Sequence, residues 1–336
     1  MRALIPAAGQ GTRLYPQTHT KPKAMVRLAG RPILGHILSN LAETEIDEVI
    51  IVTGERMKSQ ITDFAVEGFG DRFDFQFPEQ ADPQGLGHAV YQAAPLARDD
   101  PLFIALGDML FESGYGSFLR AHQELDAADG SVGIKPVEEP RHYGVAELTD
   151  DGTVDRLVEK PDDPTSNRAI SGVYVIEDTP ALFDALSYLI DSDLRGAGDE
   201  YQLTDALQWM IEHGRTFRTF EVEDWYDCGR PETLLQANEV LLSRLENSSR
   251  DDIDDSVVIP PVDAGDDVVI EQSVVGPNVS LDEGVVIRDS LVRNSIVGQG
   301  AHLDGVNLRK SIIGDNAEVR GEANHLNIGD NSSINL

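Results

Sequence analysis

Short apolar runs alternate with amphipathic stretches over the first 245 residues of the chain. Uninterrupted apolar runs predict buried strands, and apolar residues three or four positions apart predict helices. The predicted strands are Leu4–Ala8, Glu48–Val52, Leu102–Leu106, Ser171–Ile176 and Thr216–Val222, and the predicted helices are Pro32–Ala42, Gly87–Ala97, Tyr201–Glu212 and Pro231–Glu246. Strands that alternate with helices favour an α/β fold whose mainly parallel sheet is covered on both faces.

A glycine and an aspartate follow two of these predicted strands. Gly9 comes directly after the first strand, and Asp108 comes just after the strand Leu102–Leu106. Open α/β sheets bind their ligands beyond the carboxyl ends of the strands. We therefore expect Gly9 and Asp108 to belong to one site.

The pattern changes after residue 246. Residues 247–255 are polar and acidic without hydrophobic periodicity, and we interpret them as a linker between a domain at 1–246 and a second domain at 256–336. Four similar units follow at Ser273–Val279, Ser295–Ala301, Ser311–Ala317 and Leu326–Ser332. Apolar residues roughly six positions apart are typical of the hexapeptide repeats of a parallel β-helix, and a plain β-meander is the alternative.

Acidic residues outnumber basic residues by 59 to 27, and the formal net charge is −32. Such a charge repels phosphate backbones and argues against unspecific nucleic-acid binding. Lysine is scarce, with 6 lysines against 21 arginines. A solvated acidic surface with little lysine indicates adaptation to high salt, where screening reduces self-repulsion. We interpret the source as halophilic and archaeal, with an ordinary acidic cytosolic protein as the alternative.

The chain has a single cysteine, Cys228. One cysteine excludes an intramolecular disulfide and a cysteine-based zinc site. The N-terminus lacks the apolar segment of a signal peptide, and no apolar run approaches the length of a membrane span. We expect a soluble, cytoplasmic protein.

The segment 9–23 carries candidate phosphate ligands. Gly9 and Gly11 follow a buried strand, and Arg13 and Lys23 add positive charge. Backbone N–H groups can approach phosphate where side chains are absent, and nearby cations neutralise its charge. The dinucleotide fingerprint fails because Leu14 occupies its third glycine position, and the chain contains no P-loop string. A simple tight turn between a strand and a helix is the alternative.

The string G-x-G-T-R-L-x-P-x-T-x-x-x-P-K is complete at 9–23. It closely resembles the signature of sugar-1-phosphate nucleotidyltransferases of the glucose-1-phosphate thymidylyltransferase and uridylyltransferase type. The resemblance covers the first domain and the repeat tail. It implies a Rossmann-like, mainly parallel mixed sheet followed by a short left-handed parallel β-helix.

The resemblance also implies a nucleotide site. The matching nucleotide-binding positions are Ala8, Gly9, Gly11, Thr12, Arg13, Gln80 and Gly85, and the predicted catalytic residues are Arg13, Lys23 and Asp108. The amide of Gln80 has both a donor and an acceptor, which suits the imide edge of uracil or thymine. The strings around Asp108 and Asp227 resemble the two metal-binding aspartates of the family, and these carboxylates suit Mg²⁺.

A sugar-phosphate pocket is implied by a further set of residues. Its predicted members are Tyr143, Gly144, Glu159, Lys160, Gly172, Tyr174 and Glu200. Glu159 can accept hydrogen bonds from sugar hydroxyls, and Lys160 can pair with the sugar phosphate. We expect His88 and Cys228 to pack or cap rather than to catalyse.

The implied reaction transfers a nucleotidyl group from UTP or dTTP to a hexose 1-phosphate, with glucose 1-phosphate favoured, and releases pyrophosphate. The triphosphate and the sugar 1-phosphate are the expected partners, and the β-helix is expected to assemble copies of the chain. The choice between UTP and dTTP stays open because one methyl group is worth only about 1–3 kcal/mol in a pocket. Two alternatives are a bifunctional nucleotidyltransferase and acetyltransferase acting on N-acetylglucosamine 1-phosphate, and a non-catalytic regulatory subunit of the same fold.

Overall fold

The computed structural model describes residues 1–126, 128–223, 225–245 and 255–322. The repeat predicted at Leu326–Ser332, the end of the last predicted helix at Glu246, and the predicted linker apart from Asp255 lie outside these residues. The chain divides into two compact units. The first is Met1–Val26 with Arg31–Leu234, and the second is Arg27–Gly30 with the chain from Leu235 onward.

The elements before residue 245 follow the apolar pattern closely. The strands are β1 (Arg2–Pro6), β2 (Arg27–Leu28), β3 (Arg31–Pro32), β4 (Glu48–Gly54), β5 (Asp74–Gln76), β6 (Glu79–Gln80), β7 (Leu102–Ala105), β8 (Met109–Phe111), β9 (Gly130–Pro136), β10 (Gly144–Leu148), β11 (Val154–Glu159), β12 (Arg168–Ile176), β13 (Phe217–Glu221) and β14 (Trp225–Asp227). The helices are α1 (Ile33–Ala42), α2 (Lys58–Phe69), α3 (Leu86–Tyr91), α4 (Ala94–Ala97), α5 (Tyr115–Gln123), α6 (Thr179–Asp191), α7 (Leu203–Glu212) and α8 (Pro231–Arg244). Short 3₁₀ helices lie at Thr12–Leu14, Lys23–Met25, Pro140–His142 and Ala197–Asp199.

One predicted helix is divided in the structure. The single helix expected at Gly87–Ala97 is replaced by α3 and α4. Pro95 lies in the first turn of α4, and because proline has no N–H it cannot continue the hydrogen bonding of α3. Among the helices described, none combines the length and the apolar character needed to cross a lipid bilayer.

A mixed sheet forms the centre of the first unit. Its central strands are parallel, because β1 pairs with β4 and β7, and β4 pairs with β5 and β6. Antiparallel strands extend one side and give the order β11-β10-β12-β7-β1-β4-β5, and β9 pairs with β12 and β13. The predicted α/β fold with a mixed sheet is confirmed.

Alternate residues of the central strands face opposite layers of the first unit. Leu4, Ile50 and Ile104 pack into one core with side chains of α3, α6 and α7. Their neighbours Ile5 and Ile51 are also fully buried, although alternation turns them to the other face. Burial on both faces explains why these strands are continuous apolar runs in the sequence.

The second unit contains a parallel β-helix. Its strands are β15 (Val257–Val258), β16 (Val262–Ala264), β17 (Val269–Glu271), β18 (Val274–Val275), β19 (Val279–Leu281), β20 (Val286–Arg288), β21 (Leu291–Arg293), β22 (Ser295–Val297), β23 (His302–Asp304), β24 (Asn307–Arg309), β25 (Ile312–Ile313) and β26 (Glu318–Arg320). Every third strand pairs in parallel, giving the sheets β15-β18-β21-β24, β16-β19-β22-β25 and β17-β20-β23-β26. This arrangement confirms the predicted β-helix and excludes a meander, whose consecutive strands pair antiparallel.

Serine side chains connect successive coils of the β-helix. Ser273 N–H donates to Ser256 Oγ at 3.1 Å, and Ser290 N–H donates to Ser273 Oγ at 3.0 Å, each across 17 residues. Ser311 N–H donates in the same way to Ser295 Oγ at 3.1 Å, across 16 residues. Three strands in each coil of 16 or 17 residues account for the spacing of nearly six residues in the sequence.

A buried asparagine fixes Arg27–Gly30 within the second unit. Asn238 on α8 is 1% exposed, and its Oδ1 accepts hydrogen bonds from Ala29 N at 2.8 Å and Ser280 Oγ at 2.6 Å. Arg27 adds an ion pair with Asp282, with 2.8 Å between Nε and Oδ2. One carboxamide oxygen therefore satisfies two donors that come from separate parts of the chain.

We expect Asn238→Ala to lower the free energy of unfolding by about 1–3 kcal/mol, because the Ser280 hydroxyl loses its acceptor and Ala29 N–H keeps only its longer contact with Ser280 Oγ at 3.1 Å. Chemical unfolding in high salt, followed by circular dichroism, measures the change. Gln236→Ala is the matched control, since Gln236 is an exposed residue of the same helix. Equal stability of the two variants would contradict the role of Asn238.

Candidate active site

The loop that follows β1 is shaped by Gly11. Its φ is +63°, and a Cβ at this position would lie 2.7 Å from Thr18 Cγ2 and 3.1 Å from the Cβ of Lys23. Thr18 Oγ1 donates a hydrogen bond to the Gly11 carbonyl at 2.8 Å, and Leu14 is buried. The segment therefore folds back on itself, which brings Lys23 against the glycine turn and leaves Arg13 exposed.

Strand pairing brings two predicted metal-binding aspartates to one wall. Asp108 directly precedes β8, which pairs antiparallel with β14, and Met109 lies opposite Asp227. The N–H of Cys228 donates to the Asp108 carbonyl at 2.9 Å. Asp108 and Asp227 are far apart in the sequence, yet the backbone fixes them as neighbours.

The side chain of Lys23 lies among these carboxylates. Its Nζ forms an ion pair with Asp108, and the two side chains are 12% and 27% exposed. Lys23 Nζ and Asp227 Oδ1 lie 2.8 Å and 2.6 Å from the point that a Cβ of Gly229 would occupy, so both side chains reach the same small region beside this glycine. Partial burial limits the screening of these charges by solvent and salt.

A second charged pair lies at the end of β11. Lys160 Nζ is 2.9 Å from Glu159 Oε1, and Thr204 Oγ1 donates to Glu159 Oε2 at 2.7 Å. Burial, with the charge of Glu159 as a smaller cause, raises the pKa of Asp205. Lys160 and Thr204 thus engage the two oxygens of Glu159. The Lys160 ammonium is half exposed and keeps further N–H donors for an incoming anion.

Burial keeps several groups of the site protonated. It raises the pKa of Tyr143, and the charge of Asp227 adds to the effect. It also raises the pKa of Tyr174, with a further contribution from Glu159. The pKa of the Cys228 thiol is raised by burial too, and its full burial agrees with the predicted packing role. These groups can serve as hydrogen-bonding or packing groups but not as bases near neutral pH.

The predicted base-reading residues lie where β6 leads into α3. Gln80 is 4% exposed, and its Nε2 donates to the Gly85 carbonyl at 3.1 Å. The same nitrogen lies 3.0 Å from Nδ1 of His88 on α3. His88 therefore contacts Gln80, the residue predicted to bind the base, and so has a polar contact in addition to the packing or capping role expected from the sequence.

One cavity of about 560 Å³ is lined by the glycine loop, both charged pairs and Gln80. The structure brings every residue predicted for the site to its walls: Ala8, Gly9, Gly11, Thr12, Arg13, Lys23, Gln80, Gly85, Asp108, Tyr143, Gly144, Glu159, Lys160, Gly172, Tyr174, Glu200 and Asp227. Their individual roles stay predictions. The walls also include His142, Gln202 and Thr204, which were not among the predicted residues, although Thr204 lies four positions after Glu200 in the segment Asp199–Asp205.

Two aspartates on the cavity wall are the candidate ligands of a metal ion. Over the described ranges, no group of three or more His, Cys, Asp or Glu side chains is arranged to hold a metal. Asp108 and Asp227 instead offer a set of two carboxylates on the cavity wall. Because Mg²⁺ is commonly held by one or two carboxylates together with phosphate oxygens and water, this pair fits an ion shared with a phosphate ligand.

Similarity to known proteins identifies the family of this chain. The family model for nucleotidyl transferases matches residues 2–244. The chain belongs to the nucleotidyl transferase family. This nucleotidyltransferase is 32% identical over 260 residues to the low-salt glycan biosynthesis nucleotidyltransferase Agl11 of Haloferax volcanii, across 77% of this chain and 71% of that protein.

Two further similarities extend the comparison. A glucose-1-phosphate thymidylyltransferase of Streptomyces griseus is 34% identical, across 100% of this nucleotidyltransferase and 99% of that protein. The solved structure of a UDP-glucose pyrophosphorylase complexed with UDP-glucose is similar with a TM-score of 0.61 and 28% identity. That likeness covers 72% of this chain and 98% of the other. An enzyme of the nucleotidyltransferase class is therefore shown, as the sequence predicts.

We expect Gly11→Ala to destabilise the first unit by about 1–2 kcal/mol, because left-handed backbone is costly for alanine. The added Cβ would also press on Thr18. Gly9→Ala is the control, since a Cβ at Gly9 would meet no atom within 4 Å. Thermal unfolding of both variants measures the difference, and equal midpoints would show that the turn does not depend on Gly11.

Proposed function

We propose that this nucleotidyltransferase transfers a uridylyl or thymidylyl group from UTP or dTTP to a hexose 1-phosphate, and we name glucose 1-phosphate as the acceptor. One observation carries the proposal: the glycine loop, the Lys23–Asp108 pair and the Glu159–Lys160 pair line the same cavity. The thymidylyltransferase of Streptomyces griseus and the pyrophosphorylase complexed with UDP-glucose support a pyrimidine nucleotide and a glucose phosphate.

The proposed chemistry is a direct in-line displacement. A phosphate oxygen of the sugar 1-phosphate forms a bond to the α-phosphorus of the triphosphate. The bond from that phosphorus to the oxygen bridging the β-phosphate breaks, and pyrophosphate leaves with this electron pair. The attacking oxygen is already anionic, so the step needs neither a protein nucleophile nor a general base. Positioning and charge neutralisation are what the protein must supply.

The cavity offers cations for both phosphate groups. Arg13 and Lys23 would neutralise the triphosphate, and the glycine turn would let backbone N–H groups approach it. Lys23 is held by its ion pair with Asp108, so less of its side-chain freedom is lost when the nucleotide binds. Lys160 would bind the phosphate of the sugar, and Glu159, oriented by Thr204, would accept hydrogen bonds from sugar hydroxyls.

We propose Mg²⁺ as the cofactor, with Asp108 and Asp227 as its protein ligands. When bound, the ion supplies charge neutralisation at the phosphate oxygens. Two carboxylates and one ammonium leave a net negative charge on this wall, which favours a divalent cation at the same place.

We also propose that the enzyme works in high salt and that its β-helix assembles copies of the chain. The net charge of −32 supports the first statement, because self-repulsion of this size is best screened by salt. Exposed apolar side chains support the second. Val257, Ile259 and Val269 of the second unit are 55%, 42% and 38% exposed.

Pyrophosphate release tests the reaction. The assay contains Mg²⁺ and high salt, and it crosses UTP, dTTP, ATP, CTP and GTP with the 1-phosphates of glucose, galactose and N-acetylglucosamine. We expect release only when a pyrimidine triphosphate and a hexose 1-phosphate are both present. If folded protein releases no pyrophosphate with any combination of substrates, a non-catalytic subunit is favoured.

Substitution tests the site. We expect Lys23→Ala and Asp108→Ala each to lower kcat by about 10²–10³-fold, the size of effect seen when one electrostatic contact to a transition state is removed. Lys58→Ala is the control, because Lys58 forms a surface pair with Glu79 at 3.3 Å. Circular dichroism checks the fold of each variant. A near-normal rate in either site variant would refute the assignment.

A further inference from the structure

An imidazole adjoins the amide that is predicted to read the base. Gln80 Nε2 lies 3.1 Å from the Gly85 carbonyl oxygen and 3.0 Å from His88 Nδ1. A carbonyl oxygen can only accept, so the end of the amide that faces Gly85 must be the nitrogen. The Gln80 amide is therefore held in one orientation, and neither of these contacts uses its Oε1.

The same contacts locate the proton of His88. An amide nitrogen can only donate, so Nδ1 must be the acceptor, and a neutral ring then carries its proton on Nε2. The amide of Gln92 would favour the opposite assignment, because its Nε2 lies 3.2 Å from His88 Nε2. However, Gln92 Nε2 already donates to the His88 carbonyl at 3.0 Å. Gln80 is 4% exposed whereas Gln92 is half-buried, so an unmet N–H would cost more at Gln80.

We propose that His88 is a positioning residue that turns the Gln80 amide so that the site selects uracil or thymine and rejects cytosine. This inference rests on the proposed function. With Nε2 engaged by Gly85 and His88, the amide presents Oε1 to the cavity as an acceptor. The N3–H of uracil or thymine matches an acceptor, but N3 of cytosine is itself an acceptor, and the two would repel.

Protonation of His88 would undo this arrangement. The ring would then carry a proton on Nδ1, against the N–H groups of Gln80. Relief requires rotation of the amide, which turns Oε1 toward His88 and also sets it against the Gly85 carbonyl. The amide would then present a donor to the base, so binding of UTP or dTTP should weaken in acid.

Several groups surround His88 and set its protonation. Burial lowers the pKa of His88 below its ordinary value of 6.5, the charge of Asp82 and a hydrogen bond to the Asp82 backbone oppose this, and Arg195 lowers it further. The Tyr201 ring lies 6.4 Å from His88, and its hydroxyl is tied to Asp193 and Arg195. The lowered pKa favours the neutral ring at pH 7 and puts the pH effect below pH 6.5.

Two substitutions separate the hydrogen bond from simple packing. His88→Asn keeps an acceptor oxygen near the position of Nδ1 and does not titrate, whereas His88→Leu fills the space without an acceptor. We expect His88→Leu to raise the KM for UTP by about 3- to 10-fold and to lower the preference for UTP over CTP by a similar factor, with kcat unchanged. We expect His88→Asn to retain the preference of the wild type.

Two further measurements test the role of His88: the affinity for UTP at different pH values, and substitution of the neighbouring Gln92. Wild-type affinity for UTP should fall more steeply than that of His88→Asn as the pH drops from 7 to 5, and the difference between the two separates His88 from the titration of the triphosphate itself. Gln92→Leu is the matched control, because it removes the contact at the other ring nitrogen and should leave the preference for UTP over CTP unchanged. Calorimetric titration with UTP and CTP in high salt measures binding without turnover.

The outcomes distinguish this inference from the proposed function. If UTP binds and reacts equally well with wild type and His88→Leu, the role of His88 is refuted and the proposed function stands. If neither UTP nor dTTP binds folded wild-type protein, both are refuted. Nitrogen-15 NMR of the ring, assigned by comparison with His88→Asn, reports the tautomer without an assay. A proton on Nδ1 at pH 7 would also overturn the inference.

Discussion

The ammonium group of Lys23 shares a partly buried wall of the cavity with the carboxylates of Asp108 and Asp227. Loss of one member would leave uncompensated charge in a place that is only partly open to solvent. The glycine loop, the end of β7 and the β8–β14 pair must therefore keep their relative positions.

The sheet provides that support through its parallel centre. The N–H of Ala7 donates to Val52 at 2.8 Å, and the N–H of Gly107 donates to Pro6 at 3.2 Å, so both loops leave the sheet from fixed points. The antiparallel strands β10, β11 and β12 bring Gly144, Glu159 and other residues predicted for the sugar phosphate to the same cavity. The large sheet thus positions the glycine loop and the residues predicted for the sugar phosphate, and the separate β8–β14 pair adds Asp227.

The cavity contains basic side chains although the chain as a whole is strongly acidic. A net charge of −32 repels anionic ligands at long range, and salt shortens that repulsion to about 10 Å or less. Attraction must then come from cations inside the cavity. Of the 6 lysines in the chain, Lys23 and Lys160 line it together with Arg13. Each lysine is paired with a carboxylate, which fixes its position without removing its remaining donors.

Local signals in the sequence determined the α/β alternation, the glycine loop and the β-helix, because apolar periods and turn residues act over a few positions. These signals did not predict the break between α3 and α4, where Pro95 begins a new turn. Only the tertiary structure decided that Asp108 meets Lys23, that Thr204 holds Glu159, and that His88 faces Gln80. Such contacts join residues on different elements, and strand pairing and burial choose among many side chains of equal chemistry. No local period encodes that choice.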